Sequence, residues 1–293
     1  MMPGARTAAW AKSGSPIPTA YGGLCFTAES ANSSVQLTAV GSAPAVTLIK
    51  SFDGINWEAY AVGEVIDLPS IGKSVYLAAG EGGNNAFGAS SSAYHKFVIN
   101  GLVAASGNIT SLRRFDLIQT TLANNCYYSM FSGCTGLTSA PELPATTLAN
   151  HCYRSMFQDC TGLTSAPELP ATKLSPSCYY SMFQGCTGLT SAPELPAVTL
   201  APSCYRSMFQ DCTGLTSAPE LPAVTLASNC YSEMFYGCTH LSLIRVHFIA
   251  WGTQTNTWVG NVPSTGTFYK PSALPEGFGN SKIPTGWTVV NID

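Results

Sequence analysis

The stretch L-A-N-H-C-Y-R-S-M-F-Q-D-C-T-G-L-T-S-A-P-E-L-P-A, from Leu148 to Ala171, decides how this chain is read. Copies of it begin at Leu122, Leu174, Leu200 and Leu226, so the unit occurs five times with a period of 26 residues. Ten of the eleven cysteines hold fixed places in it. Cys126, Cys152, Cys178, Cys204 and Cys230 occupy one position, and Cys134, Cys160, Cys186, Cys212 and Cys238 another. A fixed period of roughly 20–29 residues with leucine punctuation marks a stack of leucine-rich coils. One such coil cannot bury its apolar face alone, so the stack needs neighbours and caps at its ends.

Within a unit, Leu148, Cys152, Met156 and Cys160 recur at i+4 with Phe157 beside them, a one-sided stripe at helical period. Pro176 and Pro202 stand early in their segments, where proline costs a helix little, and Ser175 precedes Pro176 as a candidate N-cap. Gly162 has the left-handed freedom that ends a helix, Leu163–Ala166 is short and extended, and Pro167 and Pro170 bar a return to helix. The expected coil is a short helix, a glycine turn, a short strand and a proline corner. The expected fold class is therefore a mixed α/β solenoid of the leucine-rich-repeat kind.

The segment M-F-x-x-C-T-G-L, as at Met156–Leu163, resembles the A-F-x-x-C-x-x-L core of BspA-like leucine-rich repeats, found in surface proteins of gut and oral bacteria and in some of their phages. The resemblance covers Leu122 to Leu241, with Cys126 and its equivalents standing where that family has a buried aliphatic residue. The longer period and the A-P-E-L-P corner depart from the family pattern. What the resemblance implies is adhesion or binding, with no ligand named.

The flanks divide the chain further. Residues 1–21 form an N-terminal arm, 22–106 a β-sandwich-like domain, 107–242 the five-unit solenoid and 243–293 a C-terminal cap. Strand-like runs at Cys25–Thr27, Val35–Ala39, Val46–Lys50, Trp57–Ala61, Val75–Ala79 and Lys96–Ile99 are separated by turn residues, with Asp53-Gly54 as a hairpin signal. Ser51–Trp57 resembles an Asp-box, a structural hairpin, one residue short. Gly80–Gly88 reads as an exposed loop. After Leu241 the register breaks, and Leu243–Ile249 with Trp251, Trp258, Phe268 and Trp287 supplies the apolar surface of the cap.

Composition excludes several functions. The net charge is −3, charged residues make up 10% of the chain against roughly 25% in an average soluble domain, and the longest basic run is Arg113-Arg114. Neither nucleic acid nor an anionic membrane is an expected partner. No stretch approaches the roughly 20 apolar residues that span a bilayer. Met1–Ala20 lacks a continuous apolar core, so it does not read as a signal peptide. With Met1-Met2 as a natural start, that favours a protein that leaves its cell by another route, such as a particle released by lysis.

Catalysis finds no anchor, since His95, His151, His240 and His247 are scattered and no nucleophile-elbow, zincin, P-loop or Rossmann motif occurs. The cysteines are spaced C-x₇-C, unlike the C-x₂₋₄-C of metal clusters, and each row holds an odd five, so buried free thiols are expected and no cofactor or metal. Glu142, Glu168, Glu194 and Glu220 recur as a carboxylate row, either a solvated edge or a site for a cation or partner. Tyr127, Tyr153, Tyr179, Tyr205 and Tyr231 follow the first cysteine, and the next position alternates Tyr128, Arg154, Tyr180, Arg206. Asp159 and Asp211 accompany the arginines, a superperiod of 52 residues. These tyrosines either form an interface or merely flank the core.

The candidate binding row is Tyr153, Arg154, Tyr179, Tyr180, Tyr205 and Arg206, with arginines about 9.6 Å apart over two coils. The expected protein is a non-enzymatic binding module of a phage virion, a head or tail fibre or receptor-binding component; the alternative is a bacterial cell-surface adhesin. Expected partners are a protein or glycan on a host or bacterial surface, other virion proteins, or further copies of the chain.

Overall fold

Between Leu24 and Ser106, short runs that alternate inward apolar and outward polar residues form nine strands in the computed structural model, which describes residues 23–85 and 87–293. The N-terminal arm, including Met1–Ala20, lies outside the described residues. The strands are β1 (Leu24–Ala28), β2 (Ser33–Val40), β3 (Leu48–Ser51), β4 (Glu58–Tyr60), β5 (Val65–Leu68), β6 (Ser74–Ala79), β7 (Gly88–Ser90), β8 (Ala93–Asn100) and β9 (Val103–Ser106). One sheet runs β9-β1-β6-β3-β4 and the other β5-β2-β8-β7, with antiparallel pairing throughout. They pack on each other through Phe26 of β1 and Phe97 of β8, whose rings lie 4.9 Å apart.

The β3–β4 turn is fixed by Asp53, which accepts from the Ile55 and Asn56 amides and the Ser51 hydroxyl. Those donors hold its carboxyl well below the usual carboxylate range. The loop around Gly80–Gly88 is only partly the exposed one expected: Asn84 is buried and ties Thr47 to Leu112, and Phe87 is buried.

The fold class differs from the sequence expectation. The chain is all-β, not a mixed α/β solenoid, and among the described residues only two short 3-10 turns occur, at Ile109–Leu112 and Thr253–Thr255. Where a helix was expected, the amides divide in two. Those of Cys152, Arg154, Met156, Gln158 and Cys160 donate to the carbonyl three residues back. Those of Ser155, Phe157 and Asp159 donate to Tyr180, Met182 and Gln184 in the next coil. The alternation goes with a positive φ at His151 (57°), Ser155 (53°) and Asp159 (58°), positions that are left-handed in every unit, whereas Tyr153 (57°) shares its positive φ with Tyr127 alone among the five tyrosines.

A left-handed residue costs about 1–2 kcal/mol, least for Asn, Asp and Gly. A three-turn helix of weak formers such as Asn150, His151, Ser155 and Asp159 is marginal by itself. The coil therefore exchanges helical bonds for bonds that tie it to its neighbours, and it buries Cys152, Tyr153, Met156, Phe157 and Cys160 together.

Two other expectations change with it. Gly162 does not terminate a helix in the left-handed region; a Cβ there would sit 2.5 Å from the Thr135 carbonyl oxygen, and Gly188 and Gly214 face Thr161 and Thr187 at 2.6 Å. Glycine is required because coils touch backbone to backbone. Ser175 is not an N-cap either: its hydroxyl donates to the Leu148 carbonyl of the preceding coil at 2.7 Å.

Both ends are capped by continuing the pattern in other material. At the start, the Phe97 amide donates to Met130 and its ring stacks on Phe131 at 5.1 Å, so β8 acts as a coil before the first. β10 (Leu137–Ser139) adds to the sheet edge parallel to β9. One core runs through both regions, which share a single cluster of buried residues.

At the far end, Glu233, Phe235 and Gly237 donate to Asn256, Trp258 and Gly260, and Thr257 (52°) and Asn261 (60°) repeat the left-handed positions. The backbone register thus outlasts the sequence register, which breaks at Leu241. A parallel sheet of β11 (Leu243–Arg245), β12 (Thr267–Lys270) and β13 (Thr288–Asn291) closes the end over Phe248, Trp258 and Phe268.

Candidate binding face

Each coil contributes one side chain to every row along the stack, so the repeat turns single residues into lines. The tyrosines after the first cysteine form an inner line. Tyr153, Tyr179 and Tyr205 are at most 1% exposed, with rings 6.0 and 5.9 Å apart and planes within 3°. The candidate row is corrected on these three: they belong to the core, stacked beside a second line of Phe131, Phe157, Phe183, Phe209 and Phe235. The Tyr153 and Tyr179 hydroxyls are buried without a hydrogen-bond partner among the described residues.

The next position faces outward. Tyr128, Arg154, Tyr180 and Arg206 are half-buried and stack along the coil axis. The Arg154 guanidinium carbon lies 4.2 Å from the Tyr180 ring centroid and 6.0 Å from that of Tyr128, and Arg206 lies 5.6 Å from Tyr180. Tyr94 of β8 extends the line, 5.1 Å from Tyr128, and Glu233 ends it with a carboxylate 3.4 Å from Arg206. Cation–π contact with the rings fixes two long side chains that would otherwise sample many rotamers.

Sequence reasoning placed Arg154, Tyr180 and Arg206 in the row and missed both ends. Tyr94 stands outside the repeat and carried no signal. Glu233 did carry one, because it replaces the serine of Ser129, Ser155, Ser181 and Ser207.

The glutamate row lies on the proline corner, and all four side chains are exposed. Between successive corners are equivalent open clefts of 400, 420 and 360 Å³, the first lined by Pro141, Glu142, Pro167 and Glu168. Glu220 is paired with His247 at 2.6 Å.

All eleven cysteines are free and buried. The second cysteine of each unit is more than a small apolar filler. Cys160, Cys186, Cys212 and Cys238 each donate the thiol hydrogen, at 3.0 Å, to the carbonyl of the phenylalanine one coil back. Burial pushes the thiols of Cys134, Cys186, Cys230 and Cys238 up to about 12. Thiols held in that form are neither nucleophiles nor soft-metal ligands. Among the described residues no three His, Cys, Asp or Glu side chains gather as a metal site.

No family model, curated protein or solved structure matches the chain. The likeness to BspA-like repeats rests on the M-F-x-x-C-T-G-L motif alone.

Proposed function

We propose that this chain is a non-enzymatic binding module whose recognition surface is the outward line Tyr94, Tyr128, Arg154, Tyr180 and Arg206. The observation that carries this reading is the continuous stacking of that line: planar groups already fixed in place lose little entropy when a partner arrives, and Tyr and Arg lead among interface hot spots. A rigid stack that displays equivalent groups at regular intervals suits a repetitive partner on a surface. Its low charge and its thiols, held protonated in the core, fit a structural binding part better than a catalyst.

The setting we propose is a virion, as a head or tail fibre component. A bacterial cell-surface adhesin uses the same line and differs only in where the protein sits. Immunogold labelling decides between them: gold on purified particles supports the first setting, and gold on bacterial cells alone replaces it with the second. The line itself is tested by attachment of the purified chain to cells. Combined Tyr128→Ala and Tyr180→Ala should abolish attachment while the melting transition persists; unchanged attachment by the folded variant overturns the reading.

A further inference from the structure

We infer that the outward line takes an acidic polysaccharide bearing one carboxylate on every second sugar, and that Arg154 is the residue that receives the carboxylate. This rests on the binding reading above and adds the chemical class of the partner.

The two arginines of the line are not equivalent. Arg206 is already neutralised by Glu233, which also accepts the Ser207 hydroxyl at 2.9 Å. Arg154 has no carboxylate within reach among the described residues, whereas Nε is buried without a partner in both arginines, as is Nδ1 of His151. The half-buried Arg154 side chain therefore carries an uncompensated charge that an arriving anion would pair. Nor is the arginine loose: Tyr128 and Tyr180 hold it by its flat sides. A guanidinium stacked in this way keeps its N–H donors in its own plane, the geometry that meets a carboxylate in two parallel bonds.

The same packing argues against a neutral sugar. Arg154 and Arg206 lie 4.2 and 5.6 Å from the Tyr180 centroid, so stacked guanidinium groups already occupy the ring on which a pyranose would have to lie. The line therefore recognises hydrogen-bond acceptors and negative charge in preference to apolar sugar faces.

Spacing selects among the polyanions. Two coils at ~4.8 Å each put the arginines about 9.6 Å apart, inside the ceiling of about 10 Å that those two distances set. An extended peptide repeats its side chains on one face every ~6.8 Å or ~13.6 Å, and neither fits. A disaccharide repeat does, with the charge returning once per two sugars as arginine returns once per two coils. On such a chain the second carboxylate would compete with Glu233 for Arg206.

The test uses the full chain and three probes in a titration at low salt: hyaluronan oligosaccharides, the same oligosaccharides with their carboxyls reduced, and poly-L-glutamate. Hyaluronan should bind with an affinity that falls as salt rises, and the two controls should bind more weakly. Arg154→Ala should weaken binding about 10- to 100-fold, the range for one charged hydrogen-bonded contact. Arg154→Lys, which keeps the charge and loses the fork, should also weaken it. Glu233→Gln should tighten it by freeing Arg206.

Equal binding of the carboxyl-reduced probe, or no effect of either Arg154 variant, overturns the acidic class. Equal or better binding of poly-L-glutamate replaces the glycan with an acidic peptide. If the acidic class fails and Tyr128→Ala with Tyr180→Ala still abolishes attachment to cells, the outward line survives as the binding face. If those variants also attach normally, both readings fall.

Discussion

Tyr153, Tyr179 and Tyr205 differ from Arg154, Tyr180 and Arg206 by one position in sequence and by the whole thickness of a side chain in space. The first three fill the core at 0–1% exposure, and the second three stand half-buried on its outside. Both lines run along the same axis with the same pitch. The inner one is tyrosine in all five units, whereas the outer one changes from Tyr128 to Arg154 to Tyr180 to Arg206 to Ser232. A stacked interior demands the same shape at every level, and an outer line does not, so variation between units marks the surface free to specialise. Four expected outcomes would break or sharpen that contrast.

The largest effect should come from alkali, which attacks the inner region. Burial raises the pKa of all ten register thiols from a reference near 9, and of the stacked tyrosines from 10. Such a group stabilises the fold fully below its unfolded value and loses that contribution as pH climbs towards its folded value, about 12 for Cys186. Each thiol loses about 1.4 kcal/mol per pH unit in that window. Ten together remove roughly 14 kcal/mol per unit, against a typical total stability of about 5–15 kcal/mol. The urea midpoint should hold to pH 8.5 and collapse by about pH 10. A midpoint that survives to pH 11 would mean that the thiols ionise in place and that the inner rows are not dry.

The next effect in size concerns the inner tyrosines. Combined Tyr153→Ser, Tyr179→Ser and Tyr205→Ser removes three stacked rings at about 3–5 kcal/mol each, enough to unfold the stack. Tyr153→Phe should act in the opposite direction. Its hydroxyl is buried without a partner, so deleting it should stabilise by about 1 kcal/mol, read as a higher melting temperature. A folded triple variant, or a destabilised Tyr153→Phe, would show that a buried water or an alternative packing supports these hydroxyls.

Much of this was legible in the sequence: the period, the five units, the inward cysteines and six of the nine N-terminal strands follow from repetition and alternation. The coil's backbone was not. The apolar stripe Leu148–Cys152–Met156–Cys160 has helical period, and an i+4 pattern also fits a chain of three-residue turns that advance alternately inward and sideways.

A second pattern was there to be set against it. Asn125, His151, Ser177, Ser203 and Asn229, then the serine position, then Gly133, Asp159, Gly185, Asp211 and Gly237 place turn-forming residues four apart in each unit. That spacing is costly in a helix and natural where every such residue turns left-handed. Periodicity weighed apolar residues alone and could not see it. The outer line was half legible for the same reason. A helical reading puts consecutive residues about 100° apart and cannot tell which of Tyr153 and Arg154 faces in.

The smallest effect should come from Glu233, where the outer line ends. This residue sits at φ 57°, in the position that Ser129, Ser155, Ser181 and Ser207 occupy in the other units. A glutamate there carries left-handed strain of about 1–2 kcal/mol that asparagine largely escapes. Glu233→Asn should gain from that relief. It gives up the carboxylate that faces Arg206 at 3.4 Å and accepts from Ser207 at 2.9 Å. A half-exposed ion pair is worth about 0–1 kcal/mol, and the hydroxyl bond adds about 1 kcal/mol. Gain and loss nearly cancel, so the urea midpoint should move by less than about 1 kcal/mol equivalent, with little response to salt. A loss above about 2 kcal/mol would mean that Glu233 holds the last coil to the cap and that the outer line is structural at that end. A near-neutral result leaves the neutralisation of Arg206 as the reason for a glutamate at a strained position.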